Sequence, residues 1–250
     1  MPLALLAMLL VPPNWVIRKL FPDRQPWLPK PFHRLMCWAC GVTVKAHGRR
    51  ATGTVLYVAN HVSWVDIMAL GSLLRARFVA KSELGEGGAL GFFCDQQRTI
   101  YIDRGKARDA GAQANILVDA LRAGDSLILF PEGTTSDGRR PLPFKSSLLN
   151  GLTDGTLERV RVQPVSVAFT RVRSMPAFRG RFPQLAWVGD YDIGESVMQI
   201  LRLRSVRMDI VFHEPLAPED FGNRKTLTAE LQRIVDGGYR QAMHDYVRPA

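Results

Sequence analysis

The segment Asn60-His61-Val62-Ser63-Trp64-Val65-Asp66 carries two side chains suited to proton transfer. An imidazole can take a proton from a hydroxyl near neutral pH. A carboxylate on its other ring nitrogen fixes the tautomer and stabilises the imidazolium that forms. The spacing sets a condition on this chemistry. On one continuous helix, residues five apart are turned about 140° from each other and do not meet. The pair works if His61 lies in a loop ahead of a helix and Asp66 folds back from its first turn. The same residues also suit a plainer use, with Asn60 or Ser63 as a helix cap and Asp66 favoured by the helix dipole. The segment alone leaves both readings open.

Two further clusters carry polar chemistry. Phe130-Pro131-Glu132-Gly133-Thr134-Thr135-Ser136-Asp137-Gly138-Arg139-Arg140 presents a carboxylate, a glycine and hydroxyls after an apolar run. Gly133 allows close approach of backbone to a ligand, although Pro, Gly, Asp and Ser also make ordinary turns. A carboxylate beside a buried strand, as at Glu132, ordinarily has a partner. Tyr101-Ile102-Asp103-Arg104 ends in a guanidinium that suits either a phosphate or an ion pair with Asp103 or Asp109. Lys81 stands after another short apolar run, as a phosphate contact or a solvated lysine.

These residues need elements to position them. Residues 42–46, 54–59, 78–80, 99–102, 126–130, 163–170, 185–188 and 206–213 read as strands. Residues 65–74, 90–96, 107–122 and 225–246 read as helices. This alternation predicts a single α/β domain, with a mostly parallel or mixed sheet flanked by helices. In such sheets ligands sit at the carboxyl ends of strands, where all the polar clusters fall.

The chain has 250 residues, 46% of them apolar, enough for one large core. Its net charge of +10 points to acidic partners: nucleic acid, phosphate-bearing substrates or anionic lipid. Three cysteines do not make a paired framework and suit a reducing compartment. Met1 to Val11 is apolar and followed by Pro12-Pro13, which predicts a helix too short to span a bilayer. No cation precedes it, so it does not resemble a signal peptide. Trp15, Arg18, Lys19, Trp27, Lys30, Arg34 and Trp38 mix aromatics with cations, as a helix in the headgroup layer or an ordinary amphipathic helix would. Residues 1–41 are thus expected to form an amphipathic, membrane-anchoring helical segment ahead of a domain at 42–250.

Taken in order, the clusters resemble the glycerophospholipid acyltransferases, the family of 1-acylglycerol-3-phosphate acyltransferase. His61 through Asp66 is similar to that family's histidine–four-residue–aspartate motif. Ile102-Asp103-Arg104, Phe130 to Thr134 and Val162-Gln163-Pro164-Val165 are similar to its second, third and fourth blocks. The resemblance implies transfer of a fatty acyl group from acyl-CoA or acyl-carrier protein to the hydroxyl of a lysolipid of the 1-acylglycerol-3-phosphate type, in membrane lipid biosynthesis. His61 would be the general base, oriented by Asp66. Arg104, Glu132, Gly133, Thr134 and Thr135 would bind the acceptor. Lys81, Arg139 and Lys145 would be phosphate contacts, and Pro164 would shape the donor side. It implies no metal, no cofactor beyond the acyl donor and no covalent intermediate. Membrane lipid is the expected partner rather than nucleic acid, at the cytoplasmic face of the inner (plasma) membrane, in a peripheral or monotopic manner. The family's third block usually continues with arginine, where this chain has Thr135. The run Thr134 to Gly138, followed by Leu142 to Leu148, resembles the branch that acylates lyso-ornithine lipid, which is the main alternative acceptor. A transacylase and a non-catalytic membrane-binding relative are the further alternatives.

Other motifs fall away. Cys37-x-x-Cys40 has metal or redox spacing but lacks a second pair, and is read as packing. Gly85 to Gly91 misses the dinucleotide fingerprint by one residue. The basic, aromatic stretch from Arg171 to Phe182 suits an anionic membrane, an acidic carrier protein or plain solvent.

Overall fold

The computed structural model describes residues 2–22, 27–86, 88–102, 110–155, 157, 159–177, 185–187 and 193–245. Three N-terminal helices, α1 (Pro2–Met8), α2 (Val11–Leu20) and α3 (Pro29–Ala39), precede an α/β domain. Its strands are β1 (Val42–His47), β2 (Thr54–Ala59), β3 (Arg77–Lys81), β4 (Ile100–Ile102), β5 (Leu127–Leu129), β6 (Val160–Val172), β7 (Met175–Pro176) and β8 (Val206–Phe212). Its helices are α4 (Trp64–Leu73), α5 (Gly88–Asp95), α6 (Ala110–Arg122), α7 (Ile193–Leu203) and α8 (Arg224–Asp245).

The sheet runs β1-β8-β6-β2-β5-β3-β4, with β7 paired to β6. Five neighbouring strands, β6 to β4, are parallel, whereas β8 is antiparallel to β6 and carries β1 parallel beside it. The expected mixed sheet is therefore present. The carboxyl ends of β2, β5 and β6 share an edge with the amino ends of β8 and β1.

Strand alternation divides the core. Val55, Tyr57, Ala59, Ile128, Phe130, Val165, Val167 and Phe169 pack into one cluster with α3, α4 and α7. Leu56, Val58, Leu127, Leu129, Val160 and Val162 pack into another with α6 and α8. Both faces are covered, which explains strands that read as near-continuous apolar runs.

Two expectations need correction. Pro12-Pro13 does not end the N-terminal apolar stretch. The prolines fall in the first turn of α2, where a missing N–H costs no intrahelical bond. Together, Pro2–Leu20 is long and apolar enough to cross a bilayer, and it is mostly exposed. Residues 185–187 of the expected 185–188 strand are not a strand; Val188 lies outside the described residues. Leu185 is fully buried and Trp187 N–H donates to Val62 O at 3.0 Å. Burial of a crossing segment produced an apolar run that looks like a strand. Residues 107–109 of the expected 107–122 helix also lie outside the described residues.

α3 joins the domain to its N-terminal helices. His33 and Cys37 are buried against α4 and the sheet, whereas Arg34 and Trp38 face outward. Cys37 and Cys40 are free and buried, and burial pushes the Cys37 thiol up to about 12, as packing residues should behave. Gly41 ends this helix at φ 69°, and a Cβ there would lie 2.2 Å from the Arg204 carbonyl oxygen. Gly41→Ala is expected to lower stability by at least about 2 kcal/mol, from left-handed strain plus a backbone clash, measured by chemical denaturation.

Candidate active site

The site begins where β2 stops. Asn60 is fully buried, and its side chain continues the ladder to β6. The amide donates to Val167 O at 2.9 Å and the carbonyl accepts from Val167 N–H at 2.8 Å. This holds the chain as it leaves the sheet, so that His61 falls in the loop and α4 starts three residues later.

Asp66 is the third residue of α4 and fully buried. Its Oδ2 accepts three hydrogen bonds: from Val62 N–H at 2.6 Å, from Ser63 N–H at 2.8 Å, and with His61 Nδ1 at 2.8 Å. The two readings of the segment are therefore one arrangement. The carboxylate that closes the start of α4 also grips the imidazole, near the positive end of the helix dipole. The His61 ring stacks on Phe130, with centroids 4.0 Å apart and planes 14° from parallel. With Nδ1 engaged, Nε2 remains for a ligand.

The loop after β5 clamps His61 from behind. Glu132 Oε1 accepts His61 N–H at 2.8 Å, and Oε2 accepts Leu142 N–H at 3.0 Å. Ser136 N–H donates to His61 O at 2.8 Å. Burial pushes the Glu132 carboxyl up to about 8, against two backbone bonds that favour its charged form. The loop is in turn held by α8. Tyr239 OH donates to Gly138 O, and Gln232 accepts Phe144 N–H at 2.6 Å and donates to Leu142 O at 3.3 Å.

His61 stands on a cleft of about 360 Å³. Trp64, Ile67, Phe78, Leu84, Leu90 and Phe130 make much of its wall apolar, while Lys81, Gly133, Thr134 and Thr135 bring polar atoms to it. The cleft reaches Gln97 and Thr99, ahead of β4. This volume falls in the range of small-molecule sites, and its lining suits a long apolar chain with a polar end. Among the described residues, no group of three or more His, Cys, Asp or Glu side chains gathers as a metal site would need.

The structure thus brings His61, Asp66, Glu132, Gly133, Thr134, Thr135 and Lys81 together. Glu132 does not line the cleft, because both its oxygens are taken by backbone. Thr135 does line it, and its hydroxyl donates to Trp187 O. Arg139 is exposed beside Asp137 at 3.5 Å, and Lys145 is exposed while its N–H bonds Pro131 O at 2.9 Å; neither lines the cleft. Pro164 is buried within β6 opposite Val58 and does not line the cleft. Arg104 lies outside the described residues. Sequence reasoning missed Asn60 as a ladder residue, the Phe130 stack, and Gln232 and Tyr239. Their partners lie from about 70 to just over 100 residues away, beyond any local pattern.

Comparison with known proteins agrees with this fold. The chain is an acyltransferase. It belongs to the family whose model, described as Acyltransferase, matches residues 41–168. It is 33% identical to the lyso-ornithine lipid O-acyltransferase of Brucella abortus (strain 2308), over 92% of this chain and 88% of that protein. It is 34% identical to the protein of the same name from Rhizobium meliloti (strain 1021), over 98% and 87%. A 1-acyl-sn-glycerol-3-phosphate acyltransferase of Neisseria gonorrhoeae matches at 36% identity over 40% of this chain and 39% of its own. The crystal structure of the 1-acyl-sn-glycerophosphate acyltransferase from Thermotoga maritima has the same fold, with TM-score 0.59, 19% identity and coverage of 98% and 99%.

The raised Glu132 carboxyl links proton binding to stability. The folded state holds this proton up to about pH 8, whereas the unfolded chain releases it near 4.5. The folded state therefore binds more protons between those values, and stability falls as pH rises through that window. Glu132→Gln loses one backbone acceptor, and its stability relative to wild type is expected to improve from pH 5 to 8. Urea denaturation across that range measures the difference; a constant gap between the two proteins would show that Glu132 is ionised throughout.

Proposed function

We propose that this chain moves a fatty acyl group from the thioester of coenzyme A or acyl-carrier protein to the hydroxyl of lyso-ornithine lipid. The observation that carries the reading is His61 Nδ1 bound to buried Asp66 at the polar end of an apolar cleft. His61 Nε2 removes the acceptor hydroxyl proton as its oxygen attacks the thioester carbonyl. Asp66 holds the tautomer and stabilises the imidazolium. The tetrahedral intermediate collapses to the ester and expels the thiolate, which takes from Nε2 the proton that came from the acceptor hydroxyl and leaves as a thiol. The step uses the two substrates and the chain's own side chains, without a cofactor or metal.

Two observations support the acceptor. Relatives named for lyso-ornithine lipid match nearly the whole chain, whereas the Neisseria relative named for 1-acylglycerol-3-phosphate matches 40% of it. Thr135 puts a neutral hydroxyl, tied to Trp187, where the phosphate branch is expected to carry arginine. Lys81 on the cleft supports the second reading, a 1-acylglycerol-3-phosphate acceptor. In both readings Gly133, Thr134, Thr135 and Lys81 meet the acceptor head, with Arg104 assigned there by its motif. Glu132 is a positioning residue that holds the His61 backbone.

The domain at 42–250 is proposed to work on the cytoplasmic face of the inner membrane, with residues 1–41 as its membrane-associating segment. Leu5, Leu9, Trp15, Leu20, Phe21, Trp27 and Trp38 are exposed there. A turn at Leu9-Leu10 separates α1 from α2, and Asn14 ties α2 to Gln96 by bonds to its backbone and side-chain oxygens at 2.9 and 3.1 Å. A segment bound to the domain in this way suits lying in the interface better than crossing it.

Labelled acyl-carrier protein and acyl-CoA, offered with lyso-ornithine lipid or 1-acylglycerol-3-phosphate in mixed micelles, test the reaction. His61→Ala is expected to lower kcat about 10²–10⁴-fold with little change in KM for the donor. Unchanged turnover in that variant would sink the general-base role. Label transfer from a diacyl phospholipid but neither thioester would make the protein a transacylase.

A further inference from the structure

The basic stretch that begins at Arg171 meets a second one in the fold. β6 ends at Val172 and β7 begins at Met175, so Arg173 and Ser174 form a two-residue hairpin turn. Arg173 N–H donates to Ser205 O at 2.8 Å, which sets this turn beside the end of α7 and the start of β8. Residues 171–176 and 198–207 together hold five arginines and no acid. Between them lies an open groove of about 990 Å³, to which Arg173, Met198, Leu201, Arg202 and Arg204 contribute. Met198 and Leu201 are 49% and 40% exposed, so apolar surface and cations face the same groove.

The backbone gives an independent sign that these side chains have a use. Arg173, Ser174 and Arg204 stand at φ 50°, 65° and 63°, in the left-handed region. Such positions favour glycine or asparagine, and a two-residue turn with both φ positive favours Asn-Gly. Arginine stands there at a conformational cost. Arg173 offsets it by donating from Nε to Leu203 O at 3.2 Å and from Nη2 to Arg202 O at 2.8 Å, which closes the end of α7. Arg202 and Arg204 are exposed, and their guanidinium groups have no partner among the described residues. An acidic partner from outside the chain would use them.

We propose that this groove docks an acidic acyl-carrier protein as it delivers its thioester. The inference rests on the acyl-transfer reading above, and it assigns the donor's carrier a place on the surface. An acidic amphipathic helix laid in the groove would set apolar residues on Met198 and Leu201 and carboxylates on the arginines. The groove lies close to the reaction. Trp64, which lines the cleft, donates from Nε1 to Ser196 Oγ at 3.0 Å. Leu201 follows Ser196 on α7 after about 8 Å of helix. A carrier's long prosthetic arm spans such a gap and brings the thioester to His61. The groove stands on the β6–β8 side of β2, whereas Asn14 ties α2 to Gln96 ahead of β4, on the other side. Carrier and bilayer thus have separate approaches to the cleft.

The test compares palmitoyl-carrier protein with palmitoyl-coenzyme A as donors, in mixed micelles of a non-ionic detergent. Both lyso-ornithine lipid and 1-acylglycerol-3-phosphate are offered, so the acceptor's identity does not decide the result. Arg202→Glu/Arg204→Glu, checked for folding by circular dichroism, is expected to raise KM for the carrier-bound donor at least about tenfold. Its kcat, and its KM for the coenzyme A donor, should stay near wild type. Met198→Gln/Leu201→Gln should raise the same KM without any change of charge. Lys225→Glu/Arg240→Glu, with an equal change of net charge on α8, should not. Added salt should raise KM for the carrier-bound donor in wild type more than in Arg202→Glu/Arg204→Glu. An equal rise for both donors, or for both charge variants, would overturn the docking site, as would an unchanged KM. Turnover of the coenzyme A donor alone by wild type would overturn it while leaving acyl transfer intact. Transfer from neither thioester would remove the acyl-transfer reading, and this site with it. If Arg202→Glu/Arg204→Glu leaves the carrier's KM unchanged but loses sedimentation with phosphatidylglycerol-containing vesicles, the groove is a membrane contact and the carrier is the wrong partner.

Discussion

Oδ2 of Asp66 accepts two backbone N–H groups and the His61 ring within 2.8 Å, and the candidate active site depends on that convergence. Helix starts leave backbone donors without partners, and a carboxylate in the first turn is a common remedy. Here the remedy also orients an imidazole. Because the carboxylate is fully buried, Oδ2 gives its acceptor capacity to these donors rather than to water, while Oδ1 has no hydrogen-bond partner among the described residues. The His61–Asp66 geometry is thus stabilised by the same bonds that begin α4. Loss of the helix start and loss of that pairing would be one event.

Such a convergence requires the chain to leave β2 along a defined path. Asn60 extends the ladder to β6 by side chain, and Glu132 and Ser136 hold the His61 peptide groups on both sides. The loop that carries Glu132 is itself held by Tyr239 and Gln232 on α8, from the opposite face of the sheet. The candidate site on one face is therefore fastened by a C-terminal helix packed on the other. Phe130 completes the support, since its ring is both part of the core cluster and the surface on which His61 lies.

The N-terminal segment is continuous with this core. α3 buries His33 and Cys37 against the domain and leaves Arg34 and Trp38 outward, so one helix serves two environments. The cleft reaches Gln97, which α2 approaches through the Asn14–Gln96 bonds. An enzyme whose substrates are lipids needs its apolar cleft to open beside the bilayer. Here the N-terminal segment is packed against the residues at the far end of the cleft.

Much of this was legible without the structure. Most strands and helices emerged within a few residues of their places, because apolar alternation and helical spacing are local properties. His61 with Asp66, the Glu132-Gly133 turn and Lys81 were recognisable as strand-end polar residues. Two errors came from local rules applied without context. Pro12-Pro13 reads as a stop in isolation but opens α2, and the apolar run at 185–187 is buried without being a strand. The amino-acid sequence by itself determined which side chains are available and which element each follows, since propensity and periodicity act over a few residues. Only the tertiary structure decided that Asp66 is cap and orienter at once. It also decided that Glu132 faces backbone rather than the cleft, and that Asn60, Gln232 and Tyr239 hold the site. Those roles are hydrogen bonds across about 70 to 110 residues, and no local pattern specifies which distant group will arrive.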